Sequence, residues 1–238
     1  MSVSRILIAA SAVPLFGGSA LALTPFSDNF NATSINSTRW KVENSSKASF
    51  LAAQNKLNFT VVGKPTDDDY SILTLKKNRP GYNESWEVTL DVTNTMSEES
   101  SVGVGVQVFN AADPTDVVSL EFAGKIGFFG VFITDDEDDS DQDIEKNPGV
   151  TKGSLKISFD KTSKLITLSY DKDGSANGFV WKKLCTFSPT GTGGTRRGNW
   201  KMNPTTGSFG IEIFAYGEKS KVASGKVTLD NFTLKAAK

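Results

Sequence analysis

Apolar and polar residues alternate along most of this chain, and this two-residue period limits how the chain can fold more than any other feature. Val88, Leu90 and Val92 alternate with polar neighbours, which is the pattern of a strand with one buried and one solvated face. The pattern returns at 155–159 and 166–170. The short polar connection 160–163 predicts that these two strands pair antiparallel as a hairpin.

The rest of the chain continues this pattern from about residue 26 to residue 234. No window of about 12 residues or more beyond residue 22 has helical spacing of apolar residues, and turn formers recur at short intervals. About a dozen strands are too many for one flat sheet. We therefore predict an all-β, two-sheet antiparallel β-sandwich as one domain over 23–238. Further strands are predicted at 26–30, 39–43, 47–51, 55–62, 70–77, 101–109, 116–123, 126–134, 178–187, 208–216 and 225–234.

The first 22 residues have the pattern of a signal peptide. Arg5 is their only charge, an apolar run covers 6–16, and Ala20-Leu21-Ala22 places small residues at the positions a signal peptidase reads. The apolar run is too short for the roughly 20 residues that a membrane-spanning helix needs. We expect cleavage after Ala22 and a secreted product, extracellular, periplasmic or on the cell surface, without membrane insertion.

Composition removes several classes of function. The chain has no histidine, which excludes Ser-His-Asp and Cys-His catalysis and histidine-ligated zinc. Its single cysteine, Cys185, cannot form an intramolecular disulfide and is expected to be a buried thiol. The formal net charge is −1 with scattered basic residues, so nucleic acid is not an expected partner.

Short motifs resemble the concanavalin A-like lectin/glucanase superfamily over most of the chain beyond residue 22. The opening Phe26-Ser27-Asp28-Asn29-Phe30, Arg39-Trp40 and 55–59 resemble its first strands. The segment 166–184 resembles a hairpin shared by these domains, and 227–232 resembles their last strand. The resemblance implies a jelly roll of two curved sheets, with carbohydrate bound on the concave face or its rim loops.

Glucanases of this superfamily carry Glu-x-Asp-x-(x)-Glu on one strand, which supplies a nucleophile and an acid/base. Here the only Glu-x-Asp is Glu137-Asp138-Asp139, and no glutamate follows at the required position. Because the pattern is incomplete, we expect a non-catalytic member. The acidic run 135–143 around this motif is predicted to be a solvated loop, with a cation site as the alternative.

The resemblance also implies a structural calcium where the first and last strands meet. Asp-Asn-Phe occurs at both ends of the chain, at Asp28 and at Asp230, and jelly rolls commonly pair these strands. Calcium takes 6–8 oxygen ligands, and each aspartate could supply one. The alternative is that both aspartates form turn or bulge hydrogen bonds.

The long segment 188–207 contains the predicted ligand site. Trp200 lies there beside Arg196, Arg197 and Asn199, without alternating neighbours that would bury it. A sugar ring stacks on a flat aromatic side chain while its hydroxyls find hydrogen bonds nearby. Tyr82 is a second candidate of this kind. The alternative for Trp200 is that it closes one end of the sandwich, while Trp40, Trp86 and Trp181 are predicted to be core.

Taken together, these features predict a secreted, non-catalytic carbohydrate-binding β-sandwich with a structural calcium and a polysaccharide or glycan as partner. One alternative is a structural or adhesive scaffold without a glycan site. Another is a glycoside hydrolase that uses scattered carboxylates. The acids that line the concave face would separate these three possibilities.

Overall fold

A computed structural model describes residues 23–66, 69–97, 101–123, 127–135, 138–146 and 149–237. Within these ranges, the side chains of residues 135, 138–146 and 176 are outside the description. The predicted signal peptide, 1–22, lies outside the described residues, and so do Asp136 and Glu137 of the acidic run.

Strands make up most of the described chain, together with one short 3-10 helix at Gly174–Asn177. No helix in the described ranges is long and apolar enough to cross a membrane. The strands are β1 (Phe26–Asp28), β2 (Trp40–Asn44), β3 (Ala48–Ala53), β4 (Lys56–Val61), β5 (Asp69–Leu75), β6 (Trp86–Asn94), β7 (Ser101–Asn110), β8 (Asp113–Phe122), β9 (Phe128–Asp135), β10 (Asp138–Lys146), β11 (Lys152–Asp160), β12 (Leu165–Asp171), β13 (Lys182–Ser188), β14 (Arg196–Arg197), β15 (Phe209–Glu218) and β16 (Val222–Ala236).

These strands form two sheets, which confirms the predicted β-sandwich. The nine-stranded sheet has the order β14-β13-β12-β11-β6-β16-β4-β3, with β1 added to β16. The seven-stranded sheet has the order β10-β9-β8-β7-β15-β5-β2. The first and last strands pair antiparallel with Phe26 opposite Leu234, and the 160–163 connection joins the antiparallel pair β11 and β12, as the sequence predicts.

The core lies between the sheets, and alternation decides which side chains enter it. In β6, buried and half-buried residues alternate without a break, with Val88, Leu90 and Val92 pointing inward. Strand β7 differs, because every residue after its first is buried although its inward positions also alternate. The side of β7 that points away from the other sheet is therefore covered by side chains of this chain as well. We call the outward side of the seven-stranded sheet the seven-strand face.

The acidic run 135–143 lies mostly in two paired strands, so the prediction of a loop is wrong. Strand β9 extends to Asp135 and β10 begins at Asp138, with Asp139 paired to Thr134 and a register shift before Asp141. The backbone can pair whatever the side chains are, and β10 is the last strand of its sheet. Charged residues on an edge strand are a common way to prevent pairing with a second chain.

Candidate functional site

Trp200 is a core residue, which corrects the expectation of an exposed stacking surface. Its side chain is 2% exposed and meets the Phe187 ring edge to face, with the centroids 5.1 Å apart. The Gly198 amide donates to the carbonyl of Ser188, the last residue of β13, at 2.9 Å, and the Trp200 amide donates to the Pro189 carbonyl at 2.7 Å, so the segment 188–207 turns back toward β13. A sugar ring therefore finds no free indole face here.

The polar neighbours of Trp200 stay near the surface. Arg196 and Arg197 form β14, which pairs parallel with the end of β13. Arg197 and Asn199 are exposed and Arg196 is half-buried, while the Asn199 Oδ1 accepts a hydrogen bond from Lys201 at 2.7 Å. Without an aromatic face between them, these residues do not form the predicted stacking site.

Tyr82 is also buried, at 4% exposure, between Phe159 and Phe209 with ring centroids 5.3 and 6.0 Å away. The ammonium of Lys164 lies 4.5 Å from its ring centre and donates to the Tyr82 carbonyl. The ring is part of the core, so the prediction of a second stacking residue is wrong.

Asp28 and Asp230 have different neighbours. Both Asp28 oxygens accept hydrogen bonds, one from the Phe30 amide and one from the Trp40 indole, each at 2.9 Å. Asp230 instead lines a surface hollow beside Asp91. No group of three or more acidic, Cys or His side chains in the described ranges could hold a metal. The residues do not fit the predicted calcium, and Asp28 has the alternative role of a turn acceptor.

The seven-strand face brings polar and aromatic side chains from five strands into register. Glu212 of β15 stands opposite Thr74 of β5 on one side and Gln107 of β7 on the other. Gln107 is opposite Ser119 of β8, which is opposite Phe132 of β9. One row of the face therefore presents Thr74, Glu212, Gln107, Ser119 and Phe132, and parallel rows add Phe214 with Glu121 and Tyr70 with Tyr216.

Glycines form the floor of this face. A Cβ on Gly105 would come within 2.9 Å of the Phe214 ring, and one on Gly103 within 2.6 Å of the Tyr216 ring. The large rings therefore lie flat across the strands, over positions that have no side chain. This explains why Phe214 is buried although it points away from the other sheet.

Glu212 is held in one orientation at the centre of the face. Its side chain is 2% exposed, and its two oxygens accept hydrogen bonds from the Thr74 hydroxyl and the Gln107 amide, both at 2.6 Å. Burial raises the pKa of Glu212, and the two hydrogen bonds oppose that rise. The Glu212 charge also acts on Arg79. Burial lowers the pKa of the Arg79 guanidinium, and the nearby Glu212 charge opposes this by raising the same pKa.

A second carboxylate, Glu121, lies at another place on the same face. Its Oε1 accepts a hydrogen bond from the Tyr216 hydroxyl at 2.6 Å and lies over Gly103. Glu121 stands opposite Gly105 of β7, two residues from Gln107, so the two glutamates come from neighbouring rows of the face.

Comparison with solved structures defines the fold. Over 89% of this chain and 98% of the other, it is similar to a winged bean acidic lectin complexed with methyl-α-D-galactose, with 12% identity and a TM-score of 0.58. Over 90% and 99%, it is similar to lectin I-B4 from Griffonia simplicifolia, with 11% identity and a TM-score of 0.57. The chain has the concanavalin A-like jelly-roll fold. No family model and no curated protein sequence matches it.

A jelly roll of this kind also occurs as part of larger proteins. The chain is similar to the Bacteroides ovatus xyloglucan-locus protein GH43B over 94% of its own length, with 14% identity and a TM-score of 0.57. It spans only 41% of that protein. At these identities the likeness shows the fold alone, so function has to be argued from the residues.

The sequence contains one signal for the seven-strand face. In β7 the inward valines alternate with Gly103, Gly105 and Gln107, and Glu212 holds an outward place in β15. Outward glycines in a strand suggest that another group approaches the backbone closely. Which strands lie beside each other, and hence which polar groups meet, depends on a sheet order that the sequence pattern does not give.

Proposed function

We propose that this jelly roll binds carbohydrate on the seven-strand face and does not hydrolyse it. The observation that carries the proposal is that Glu212 and Glu121 are buried, hydrogen-bonded carboxylates on the outward side of a sheet. Burying a charge in this way is costly, and such groups are often kept for recognition. A fixed polar row beside flat rings matches a sugar, which offers hydroxyls and an apolar C–H face.

The half-exposed residues of the face are the expected contacts. Tyr70, Tyr216 and Phe132 are half-buried rather than covered, and so are Thr74 and Ser119 between them. The rings supply stacking surface, while the hydroxyls and the groups behind them fix the orientation of the sugar. The similarity to lectins adds support for this class of ligand.

The proposal includes secretion, because 1–22 has the charge, apolar run and small residues of a signal peptide. N-terminal sequencing of the exported protein tests it, with a start at Leu23 expected. Calcium has no part in the proposal, since the Asp28 oxygens are already used by Phe30 and Trp40. Thermal unfolding with calcium and with a chelator tests this point, and a large rise in Tm with calcium would contradict it.

A glycan array followed by two matched variants tests the site. Ser119 is half-buried at the middle of the face, and Ser158 is half-buried on the outward side of the other sheet. Ser119→Trp fills the seven-strand face and is expected to weaken binding to the best array glycan at least tenfold. Ser158→Trp adds the same side chain elsewhere and is expected to leave the affinity unchanged.

Two results would contradict the proposal. One is binding that survives Ser119→Trp at full affinity in a variant whose circular dichroism matches the wild type. The other is an array on which no glycan is retained, which would favour the structural or adhesive scaffold. Release of reducing ends from a bound polysaccharide would contradict the non-hydrolytic part alone.

A further inference from the structure

The outward side of the nine-stranded sheet, which we call the nine-strand face, contains a separate hollow of about 180 Å³. It lies where β4, β16, β6 and β11 run side by side, under the short helix 174–177. One water needs about 10–15 Å³ of such space, so the hollow is large enough for several waters or a small polar ligand. The groups that line it include Lys56, Asp91, Lys152, Ser175, Asp230 and Asn231.

Two aspartates stand opposite each other in this hollow. Asp91 of β6 and Asp230 of β16 are register partners, and both line it. Like charges directly opposite each other destabilise a sheet. Burial raises the pKa of Asp230, the Asn231 backbone N–H and the Lys56 charge lower it, and the Asp91 charge adds the smallest contribution, a rise. The pair therefore presents carboxylate groups to whatever occupies the hollow.

A backbone irregularity shapes the hollow at Asn231. The register of β16 against β6 shifts between Asp230 and Thr233, and Asn231 has a φ of +50°. Such bulges re-aim side chains and are frequent beside functional sites. Here the side-chain amide of Asn231 donates to one Asp91 oxygen at 2.9 Å, and the Ser175 hydroxyl donates to the same oxygen at 3.3 Å. The Ser154 hydroxyl donates to the other Asp91 oxygen.

After these bonds, donors and acceptors are still available. One Asp230 oxygen accepts from the Asn231 backbone N–H, and the other has no hydrogen-bond partner among the described residues. In the same ranges, neither the Lys56 nor the Lys152 ammonium forms a close ion pair, although the Lys56 charge acts on Asp230, and the side-chain oxygen of Asn231 has no donor. Alternating acceptors and cationic donors match sugar hydroxyls, which both donate and accept, and the two lysines oppose a divalent cation.

An aromatic pair follows the short helix 174–177 in the chain. Phe179 and Trp181 stack with centroids 4.7 Å apart and planes 16° from parallel, and Phe179 is 48% exposed. The buried Asp171 carboxylate joins the two features: it accepts from the Val180 amide beside the pair and from the Asp173 amide at the hollow. One buried carboxylate therefore fixes the backbone both at the hollow and at the aromatic pair.

We propose that this surface is a second saccharide site, with one ring in the hollow and the next ring against Phe179. That the ligand is a saccharide rests on the proposed function, whereas the hollow and the polar groups that line it are observed independently of that proposal. The seven-strand face lies on the opposite side of the sandwich, so two such sites would let one molecule bridge two glycan chains.

The test is an NMR titration of the full chain carrying Ser119→Trp, which blocks the seven-strand face. The ligands are the methyl glycosides of glucose, galactose and mannose, then lactose, cellobiose and maltose. We expect at least one of them to shift the amide signals of Asp91, Gly174 and Asn231. Asn231→Gly keeps the left-handed backbone while removing the amide, and it is expected to weaken binding about tenfold.

Two further variants complete the design. Phe179→Ala is expected to weaken a bound disaccharide about tenfold and a methyl glycoside much less. Glu87→Gln alters an acid of the same sheet face that is outside the hollow and is paired with Lys235, so it serves as the control and is expected to change nothing. The inference is overturned if none of the six ligands shifts the hollow signals, if Asn231→Gly leaves the affinity unchanged, or if only calcium shifts them.

The two proposals fail separately. If hollow signals shift in the Ser119→Trp chain but array binding does not depend on Ser119, the hollow stands and the seven-strand face does not. If the array binding depends on Ser119 and the hollow signals stay fixed, only the second site is wrong.

Discussion

Trp200→Ala distinguishes a core tryptophan from a ligand-stacking one. The indole is almost fully buried against Phe187, so removing it leaves a cavity in a packed region. Truncating a buried tryptophan costs about 3–5 kcal/mol of unfolding free energy. The Trp200 Nε1 is buried without a hydrogen-bond partner among the described residues, and such a group costs about 1–3 kcal/mol. Trp200→Phe removes that N–H while keeping a ring, so we expect a loss below about 1.5 kcal/mol.

Urea unfolding followed by far-UV circular dichroism measures both variants, with the loss given by the midpoint at an unchanged m value. We expect Trp200→Ala to unfold at a clearly lower urea concentration than Trp200→Phe. At urea concentrations where both variants are folded, Trp200→Ala and Trp200→Phe should keep the glycan affinity of the wild type. A Trp200→Ala protein that is within about 1 kcal/mol of the wild type but no longer binds glycan would refute the core assignment.

Three other changes test the structure. Because burial raises the pKa of Glu212, the folded state holds this proton more tightly, and stability falls as pH rises from the unfolded pKa through the folded one. Glu212→Gln should remove that fall in urea midpoints measured from acidic to neutral pH, and an unchanged pH profile would contradict the burial. Gly210→Ala forces a Cβ against the Phe109 ring and should cost about 1–3 kcal/mol. Gly217→Ala on the same strand has room and should be nearly neutral; equal effects of the two changes would contradict the close approach of the Phe109 ring to Gly210. Cys185 is buried, so an aromatic disulfide reagent should modify it only after unfolding, and rapid native labelling would be the contrary result.

The strand pattern was predictable because alternation marks which residues enter the core. Val88, Leu90 and Val92 are all inward, and the meeting of β1 and β16 at Phe26 and Leu234 follows from the resemblance to jelly rolls. The burial of the tryptophans is harder to predict from the sequence. Trp181 lies in a strand-like run yet stacks near the surface with Phe179, while Trp200 lacks alternating neighbours and is core. Local period does not show where a connecting segment folds back.

The candidate sites depended on information that a linear pattern lacks. Glu212, Thr74 and Gln107 come from three strands that are far apart in sequence and adjacent only in the sheet. The repeated Asp-Asn-Phe motif predicts that Asp230 and Asp28 share an ion, but the bulge at Asn231 and the sheet order place Asp230 beside Asp91. Long-range strand order and a one-residue register shift decide both sites.

The most direct test of the central proposal is a crystal structure of the protein with the glycan that binds best on the array. We predict a sugar ring on the seven-strand face, in contact with Tyr216 or Phe132 and hydrogen-bonded to groups of the Thr74–Gln107 row. A glycan bound instead at Arg196, Arg197 and Asn199, with the seven-strand face empty, would contradict the proposal.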